Sequence, residues 1–123
     1  MGYKECSMPA YNFKERFATA VEQGIKRSTI RPRRRNPSRP GDPLYMYTGM
    51  RTRACRKLTT ATCRQVRPII IDSDQVWLDG EQLSAEQIRQ LAQGDGFSRV
   101  AEFFDFFRQH YGLPTAEMDL IEW

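Results

Sequence analysis

The segment Gly24–Arg31 (GIKRSTIR) joins a predicted helix to a predicted strand. Gly24 is a residue type that ends helices, and the residues after it include the β-branched side chains that strands favour. Lys26 therefore lies at the junction, while Thr29 and Arg31, two positions apart on a strand, face the same side. An ammonium, a hydroxyl and a guanidinium group close together can hold an anion or the polar edge of a base.

A helix is predicted just before this segment. Apolar side chains recur there at intervals of three and four residues, which is the spacing of one helix face: Phe13, Phe17, Ala20 and Val21. Asn12 is placed to cap the start of this helix, and Gly24 is placed to end it.

The residues after the predicted strand are strongly basic. Residues 31–42 contain five arginines and three prolines, and the prolines exclude a helix or an inner strand. This segment is predicted to be an exposed basic loop that carries Arg31, Arg33, Arg34, Arg35 and Arg39.

Charge is divided unevenly along the chain. Residues 1–67 hold 16 Lys and Arg against 4 Asp and Glu, whereas residues 68–123 hold 3 against 11. A strongly positive surface favours a polyanionic partner, of which nucleic acid is the commonest. The alternative is that the basic half packs against the acidic half and is neutralised by it.

The rest of the chain is predicted to form short strands with helices inserted. Strands are predicted at residues 28–31, 43–47, 59–67, 68–71, 75–78 and 118–123. Ser84 and Gln87 have the spacing of a capping box at the start of a helix that ends at Gly94. A second helix, with four phenylalanines in five positions, runs from Ser98 to Tyr111. These elements predict an α+β fold: a partly open β-barrel of about six strands, with an N-terminal helix and a helical pair before the last strand.

Length and composition limit the class of protein. A chain of 123 residues with 40% apolar residues is enough for a single domain, residues 1–123. The longest apolar run, residues 44–47, is far shorter than the roughly 20 residues of a membrane span. Residues 1–10 lack the apolar core of a secretory signal. We expect a cytoplasmic protein with no membrane partner.

Cysteine and histidine are sparse. Cys6, Cys55 and Cys63 form no CxxC pattern, and with His110, the only histidine, they show no metal-finger spacing. The cysteines are expected to be small buried residues in a reducing compartment. The sequence therefore predicts neither a metal site nor a cofactor.

Three segments resemble the ASCH domain family of the PUA-like superfamily. Residues 24–31 resemble its GxKxxExR signature, residues 40–49 resemble its GD-x-L-x-x-Y strand, and Asp95-Gly96-Phe97 with the aromatic helix after it resembles its C-terminal half. The resemblance covers residues 13–123, and with the arginine-rich loop it is typical of small ASCH proteins of phages and prophages. It implies a PUA-like barrel that binds RNA or modified bases in a cleft between the barrel and its helices.

Thr29 separates this chain from many ASCH domains, which have glutamate there. The ASCH-family amidohydrolases that deacetylate N4-acetylcytidine carry threonine at this position and lysine three positions earlier, as Lys26 is here. Their third catalytic residue is a carboxylate before the last long helix, and Asp95 occupies that place as an aspartate where those enzymes have glutamate. The resemblance thus implies a metal-independent reaction in which Thr29 attacks the acetyl carbonyl, Lys26 accepts the hydroxyl proton and Asp95 activates the water. Arg31 or a backbone amide would steady the oxyanion.

Asp95 also has a purely structural interpretation. Asp-Gly-Phe-Ser before an apolar run is an ordinary helix start, so the carboxylate can serve only as the cap of the next helix. The sequence leaves both interpretations open.

The leading functional hypothesis is binding of RNA, or of a modified nucleoside or nucleotide. Cations would contact phosphates and aromatic rings would stack on bases, with the predicted contacts being Lys26, Arg31, Arg33, Arg34, Arg35, Arg39, Tyr45, Tyr47 and Arg51. Trp77 is a further candidate for stacking, and Tyr3 and Tyr11 can line the same cleft. Hydrolysis of N4-acetylcytidine is the second hypothesis. A phage-encoded protein-interaction module that uses the acidic half or the phenylalanine face is the third.

Overall fold

The computed structural model describes residues 10–123 as three helices and eight strands. The strands are β1 (Ala10–Phe13), β2 (Ser28–Pro32), β3 (Pro43–Thr48), β4 (Arg56–Thr62), β5 (Gln65–Ile71), β6 (Val76–Leu78), β7 (Glu81–Gln82) and β8 (Met118–Glu122). The helices are α1 (Glu15–Glu22), α2 (Ala85–Gly94) and α3 (Val100–Tyr111). None of these helices combines the length and the apolar character that crossing a membrane requires.

The strands form two sheets. The first has the order β1-β3-β4, in which β1 runs parallel to β3 and β3 runs antiparallel to β4. The second has the order β2-β8-β5-β6-β7, and all its pairs are antiparallel. The last strand, β8, therefore lies between β2 and β5, and β2 is held in place by the C-terminal end of the chain.

The architecture confirms the mixed α+β class and the helical pair before the last strand. Within residues 10–123 the two sheets do not close into a barrel, which is consistent with a partly open β fold. These residues form more strands than predicted, because β1 and β7 were not anticipated. The predicted division of residues 59–71 before Pro68 is also wrong. The chain instead turns at Cys63 and Arg64, and Pro68 lies inside β5 opposite Asp119.

The start of α1 differs from the prediction. Asn12 and Phe13 belong to β1, where they lie opposite Tyr47 and Thr48 of the parallel strand β3. Strand pairing therefore takes the backbone of these residues, and the Thr48 hydroxyl also donates to the Phe13 carbonyl at 2.7 Å. The helix begins two residues later, after Lys14, and its start has no side-chain cap. The prediction of Asn12 as the cap is wrong.

The start of α2 agrees with the prediction. The backbone N–H of Gln87 donates to the Ser84 hydroxyl at 3.2 Å, and the backbone N–H of Ser84 donates to the Gln87 side chain at 2.8 Å. Both halves of the capping box are present, so the sequence spacing locates this helix correctly.

An aromatic cluster holds α3 against α1. The Phe97 ring makes an edge-on contact with Phe17 and with Phe103, at centroid separations of 5.3 Å and 5.7 Å. Phe106 lies 5.8 Å from Phe17 in a similar edge-on geometry. Such pairs add to the hydrophobic burial of the rings. They fix α3 and the turn before it relative to α1, and these elements form one side of the pocket described below.

The cysteines do not share one environment. Cys63 is buried, as expected, but Cys55 is exposed because it lies in the polar turn between β3 and β4, outside the core. The expectation of a buried Cys55 is therefore wrong. Cys6 and Tyr3 lie outside the described residues.

We expect Phe103→Ala to lower the free energy of unfolding by about 3–5 kcal/mol, because the Phe103 side chain is fully buried and its loss leaves a cavity. Gln109→Ala, at an exposed position of the same helix, is the matched control and should change it by no more than about 0.5 kcal/mol. Urea unfolding followed by circular dichroism measures both. Equal effects of the two substitutions would contradict the place of Phe103 in the core.

Candidate functional site

A pocket of about 220 Å³ lies beside the junction of α1 and β2. The polar side chains on its wall include Lys26, Thr29, Arg31 and Asp95, which the sequence predicted as one group. Aromatic rings form much of the remaining wall: Phe13, Phe17, Phe97, Phe106, Phe107 and Tyr111. The pocket therefore combines ionisable groups and a hydroxyl with flat apolar surfaces.

Lys26 lies in the turn after α1, and its backbone N–H donates to the Ala20 carbonyl at 3.0 Å. Its side chain is buried and reaches Asp95, which is 69 positions away in the sequence. The Nζ atom donates to Oδ1 of Asp95 at 2.7 Å and to the backbone carbonyl of Asp95 at 2.5 Å. It also lies 4.9 Å from the ring centroid of Phe17, a cation–π distance. One residue thus supplies both hydrogen-bond acceptors for the Lys26 side chain.

A tight turn brings Asp95 to this place. Asp95 follows α2 as its C-cap, and Gly96 has a φ of 94°, which residues with a Cβ rarely adopt. A Cβ at position 96 would lie 3.2 Å from Cδ of Lys26 and 3.2 Å from Cδ1 of Phe17. The missing side chain therefore lets this turn close against Lys26.

The interpretation of Asp95 as the cap of the following helix is wrong. The N-cap position of α3 is occupied by Arg99, and no side chain caps it. The carboxylate of Asp95 instead bonds to Lys26.

Burial dominates the protonation of this ion pair. Removal from water lowers the pKa of Lys26 below its ordinary value of 10.5, although the adjacent Asp95 carboxylate opposes the shift. The positive charges of Arg31 and Arg16 lower the same pKa further. Burial raises the pKa of Asp95, and Lys26 and Arg31 oppose that rise. Lys26 is therefore a stronger candidate for a proton acceptor at neutral pH than an exposed lysine.

The hydrogen bonds define what the Lys26 amine offers in each charge state. A neutral amine has two N–H groups, and the two Asp95 oxygens can accept both, which leaves the lone pair for a third partner. An ammonium has three N–H groups, so the third remains as a donor in the same direction. Within the described residues Lys26 makes its side-chain hydrogen bonds to Asp95 and none to Thr29, so this third position is available to a ligand in the pocket.

Thr29 and Arg31 form a pair on β2. Nε of Arg31 donates to Oγ1 of Thr29 at 2.8 Å, which confirms that the two side chains face the same side of the strand. Nη2 of Arg31 donates to the Asn12 carbonyl at 2.7 Å, and its guanidinium carbon lies 4.8 Å from the ring centroid of Phe13. Since the Thr29 oxygen accepts from Arg31, its own hydrogen remains available to a different acceptor.

Two arginines of the basic loop are held by the protein itself. Nε of Arg33 donates to Oδ1 of the buried Asp119 carboxylate at 3.1 Å. Nη2 of Arg34 donates to the Ala10 carbonyl at 2.6 Å, and its guanidinium carbon lies 3.9 Å above the Tyr11 ring. Tyr11, predicted as a cleft residue, is buried in this contact and does not line the pocket.

Arg35 and Arg39 are the basic-loop residues that remain available to a partner. Both are exposed, and within residues 10–123 neither guanidinium has a hydrogen bond or ion pair to another side chain. The loop closes on itself through Asp42, whose carboxylate accepts from the backbone N–H of Arg39 at 2.9 Å. A phosphate contact by the loop therefore depends mainly on these two side chains.

The acidic half neutralises part of the basic half. Besides the Lys26–Asp95 and Arg33–Asp119 pairs, Arg67 donates to Glu122 at 2.8 Å. Among residues 10–123, no three His, Cys, Asp or Glu side chains come together as a candidate metal site.

The remaining predicted contacts lie away from the pocket. Tyr45 and Tyr47 alternate along β3 with side chains that are buried in the core, so they lie on its opposite, outer face. Arg51 is exposed in the turn after β3, and Trp77 lies on β6, two strands away from β8. None of these four residues lines the pocket.

Tyr111 is a pocket residue that the sequence analysis missed. Its side chain is 43% exposed at the end of α3, and its ring stacks on Phe107 at a centroid separation of 5.8 Å. The four-residue spacing of Phe107 and Tyr111 places them on one helix face, so the signal was present. Tyr111 is predicted above only as the last residue of the helix.

We expect Asp95→Asn to destabilise the protein by about 3–5 kcal/mol, because it leaves the buried Lys26 without its counter-charge. Glu86→Gln breaks the exposed Arg89–Glu86 pair and should cost less than about 1 kcal/mol. Chemical unfolding of both variants gives the comparison. The double variant Lys26→Met/Asp95→Asn should lose less stability than the two single variants together, and strict additivity would contradict a coupled pair.

No protein-family model matches the chain, and no curated protein and no solved structure is significantly similar to it. The resemblance to ASCH domains rests on the three sequence segments quoted above.

Proposed function

We propose that this chain is an ASCH-like domain of PUA type whose pocket binds a single nucleobase, carried by RNA or by a modified nucleotide. The observation that carries the proposal is the convergence of Lys26, Thr29, Arg31 and Asp95 on one aromatic-walled pocket. Its volume of about 220 Å³ is below the roughly 300–1,000 Å³ of sites for drug-sized ligands, so it suits one small ring system.

The groups on the pocket wall match the chemistry of a pyrimidine. A base presents a flat π surface and a polar edge, and proteins recognise it by stacking and by edge hydrogen bonds. The exposed ring of Tyr111 supplies a stacking surface at the pocket. Arg31 and Lys26 supply donors, and the Thr29 hydroxyl supplies both a donor and an acceptor.

The basic loop supports attachment of that base to a phosphate. It continues directly from β2, the strand that carries Thr29 and Arg31, and it presents Arg35 and Arg39 without protein partners in the described residues. Two guanidinium groups are well suited to the oxygens of a phosphodiester.

Binding is tested by calorimetric titration with cytidine, uridine and N4-acetylcytidine. Thr29→Val keeps the side-chain shape but removes the hydroxyl, and we expect it to weaken binding of the preferred nucleoside by roughly tenfold, because a polar edge loses its partner. Thr60→Val, on the outer face of β4, is the control and should bind like the unaltered protein. Absence of nucleoside binding by the unaltered chain would overturn the proposal.

A second candidate function, hydrolysis of an N4-acyl cytosine, is favoured by the state of Lys26. Its pKa is lowered, and Asp95 can accept both hydrogens of its neutral amine, so the lone pair is the feature left for the pocket. Thr29 keeps its hydroxyl hydrogen because its oxygen accepts from Arg31. A base and a hydroxyl with these properties are the parts of a nucleophilic amidohydrolase.

The proposed reaction consumes only the N4-acyl cytosine and one water molecule. The Thr29 oxygen attacks the acyl carbonyl while Lys26 takes its proton, and the developing oxyanion is stabilised by Arg31. The C–N bond then breaks, the proton passes from Lys26 to the departing N4 amine, and the acyl group remains on Thr29. Water then attacks this ester while the Asp95 carboxylate takes its proton; acetate is released, and the proton passes to the Thr29 oxygen. Asp95 orients the Lys26 amine throughout, through both of its oxygen contacts.

We expect the protein to convert N4-acetylcytidine to cytidine, and Thr29→Val to abolish the conversion because it has no nucleophilic oxygen. Thr29→Ser keeps the oxygen and should retain measurable turnover, which distinguishes chemistry from folding. Chromatographic separation of substrate and product follows the reaction. Full activity of Thr29→Val would exclude threonine as the nucleophile and leave the binding function alone.

The expected pH dependence of the hydrolysis follows from the role of Lys26 as proton acceptor. Lys26 accepts a proton only when it is neutral, so kcat/KM should rise with pH and level off above the pKa of Lys26, which lies below 10.5. Lys26→Arg remains charged throughout and should lose this rising limb together with activity. A profile that keeps rising beyond the ordinary lysine pKa would contradict Lys26 as the base.

A further inference from the structure

A second surface of the molecule carries nucleic-acid chemistry that the pocket does not use. β3 is the central strand of the three-stranded sheet, and its core-facing residues are buried while Tyr45 and Tyr47 face outward. The two tyrosines are two positions apart on one face, so their rings are neighbours along the strand. Both are half-buried, which leaves part of each ring accessible.

A lysine flanks the two rings. Lys57 on β4 lies opposite Tyr47 in the strand register, and its Nζ is 5.5 Å from the ring centroid of Tyr45. Thr60, opposite Tyr45 on the same strand, is exposed. This face therefore presents two aromatic rings, a cation and hydroxyl groups side by side.

Negative charge is absent from the segment that builds this face. Residues 43–62, which form β3, β4 and the turn between them, contain four Lys and Arg and no Asp or Glu. Arg56 pairs with two carboxylates of α1. Arg51, Arg53 and Lys57 are exposed and have no carboxylate partner within the described residues. The charge that remains is positive and lies at the β3–β4 turn, next to the tyrosines.

We propose that the outer face of the β1-β3-β4 sheet binds single-stranded nucleic acid, with consecutive bases stacking on Tyr45 and Tyr47 and the backbone phosphates contacting Lys57 and the β3–β4 turn. Aromatic rings stack on any base, and nearby cations neutralise the phosphates, which is the combination that sequence-tolerant single-strand binding requires. A duplex keeps its bases stacked inside and cannot use the rings. Tyr45, Tyr47 and Lys57 do not line the pocket, and the proposal does not depend on what the pocket binds.

Fluorescence anisotropy with a labelled oligouridine and a labelled oligothymidine tests this surface. Tyr45→Thr/Tyr47→Thr replaces the rings by side chains that also favour strands, and it should weaken binding of both oligonucleotides by roughly tenfold or more, because two stacking partners are lost. Tyr45→Phe/Tyr47→Phe keeps the rings and should bind nearly as well as the unaltered chain. A double-stranded competitor of the same length should compete poorly.

Salt dependence tests the phosphate contact. Lys57→Gln should reduce the slope of log affinity against log salt concentration by about 1, whereas Arg89→Gln, on α2 in the acidic half, should leave it unchanged. The tyrosine variants should leave nucleoside binding by the pocket unchanged, because neither tyrosine lines it. Oligonucleotide binding and nucleoside binding thus report on the two surfaces separately.

Three results would overturn the inference. The first is unchanged oligonucleotide affinity in Tyr45→Thr/Tyr47→Thr, with loss only on Arg35→Gln/Arg39→Gln. The second is equal weakening by the threonine and phenylalanine pairs, which would exclude stacking. The third is concentration-dependent self-association of the unaltered chain that the tyrosine variants abolish, which would make this face a contact between copies of the chain.

Discussion

The buried contact between Lys26 and Asp95 is the interaction on which the site depends. It ties the turn after α1 to the end of α2, and it takes two oxygens from a single residue, one from the backbone and one from the side chain. A charged pair removed from water is costly unless both partners are satisfied, so this contact constrains both turns at once. Both partners of the pair line the pocket together with Thr29.

The local residue pattern predicts Lys26, Thr29 and Arg31 as one group, whereas only the family resemblance adds the distant Asp95. Lys26, Thr29 and Arg31 are close in sequence, so the strand period alone places the last two on one face, and the Arg31–Thr29 hydrogen bond agrees with it. No periodicity relates Lys26 to Asp95, and only the family resemblance connected them. β1 was missed because its pairing partner, β3, follows more than thirty residues later. The backbone of Phe13 therefore follows its pairing with β3 and not the helical spacing of its side chain.

The arginine-rich loop shows that composition alone overestimates the number of arginines that can contact a partner. Five arginines suggested one uniform anion-binding surface, but Arg33 neutralises a buried carboxylate and Arg34 packs on a buried tyrosine. Those contacts depend on residues from β8 and β1 that the loop sequence does not reveal. The positive charge left for a partner is divided between the tip of this loop and the β3–β4 turn. The chain therefore has two separate basic surfaces, and its summed charge describes neither.

Arg31 and Arg34 also protect the border of a sheet. Among the described strands β1 is the edge strand beside β3, and its carbonyls at Ala10 and Asn12 accept hydrogen bonds from Arg34 and Arg31. An outermost strand normally exposes such acceptors, and a strand from another molecule can add to them and start aggregation. Here two guanidinium groups already occupy them. The same arginine that contacts the catalytic candidate Thr29 thus helps to keep neighbouring molecules from pairing with this chain.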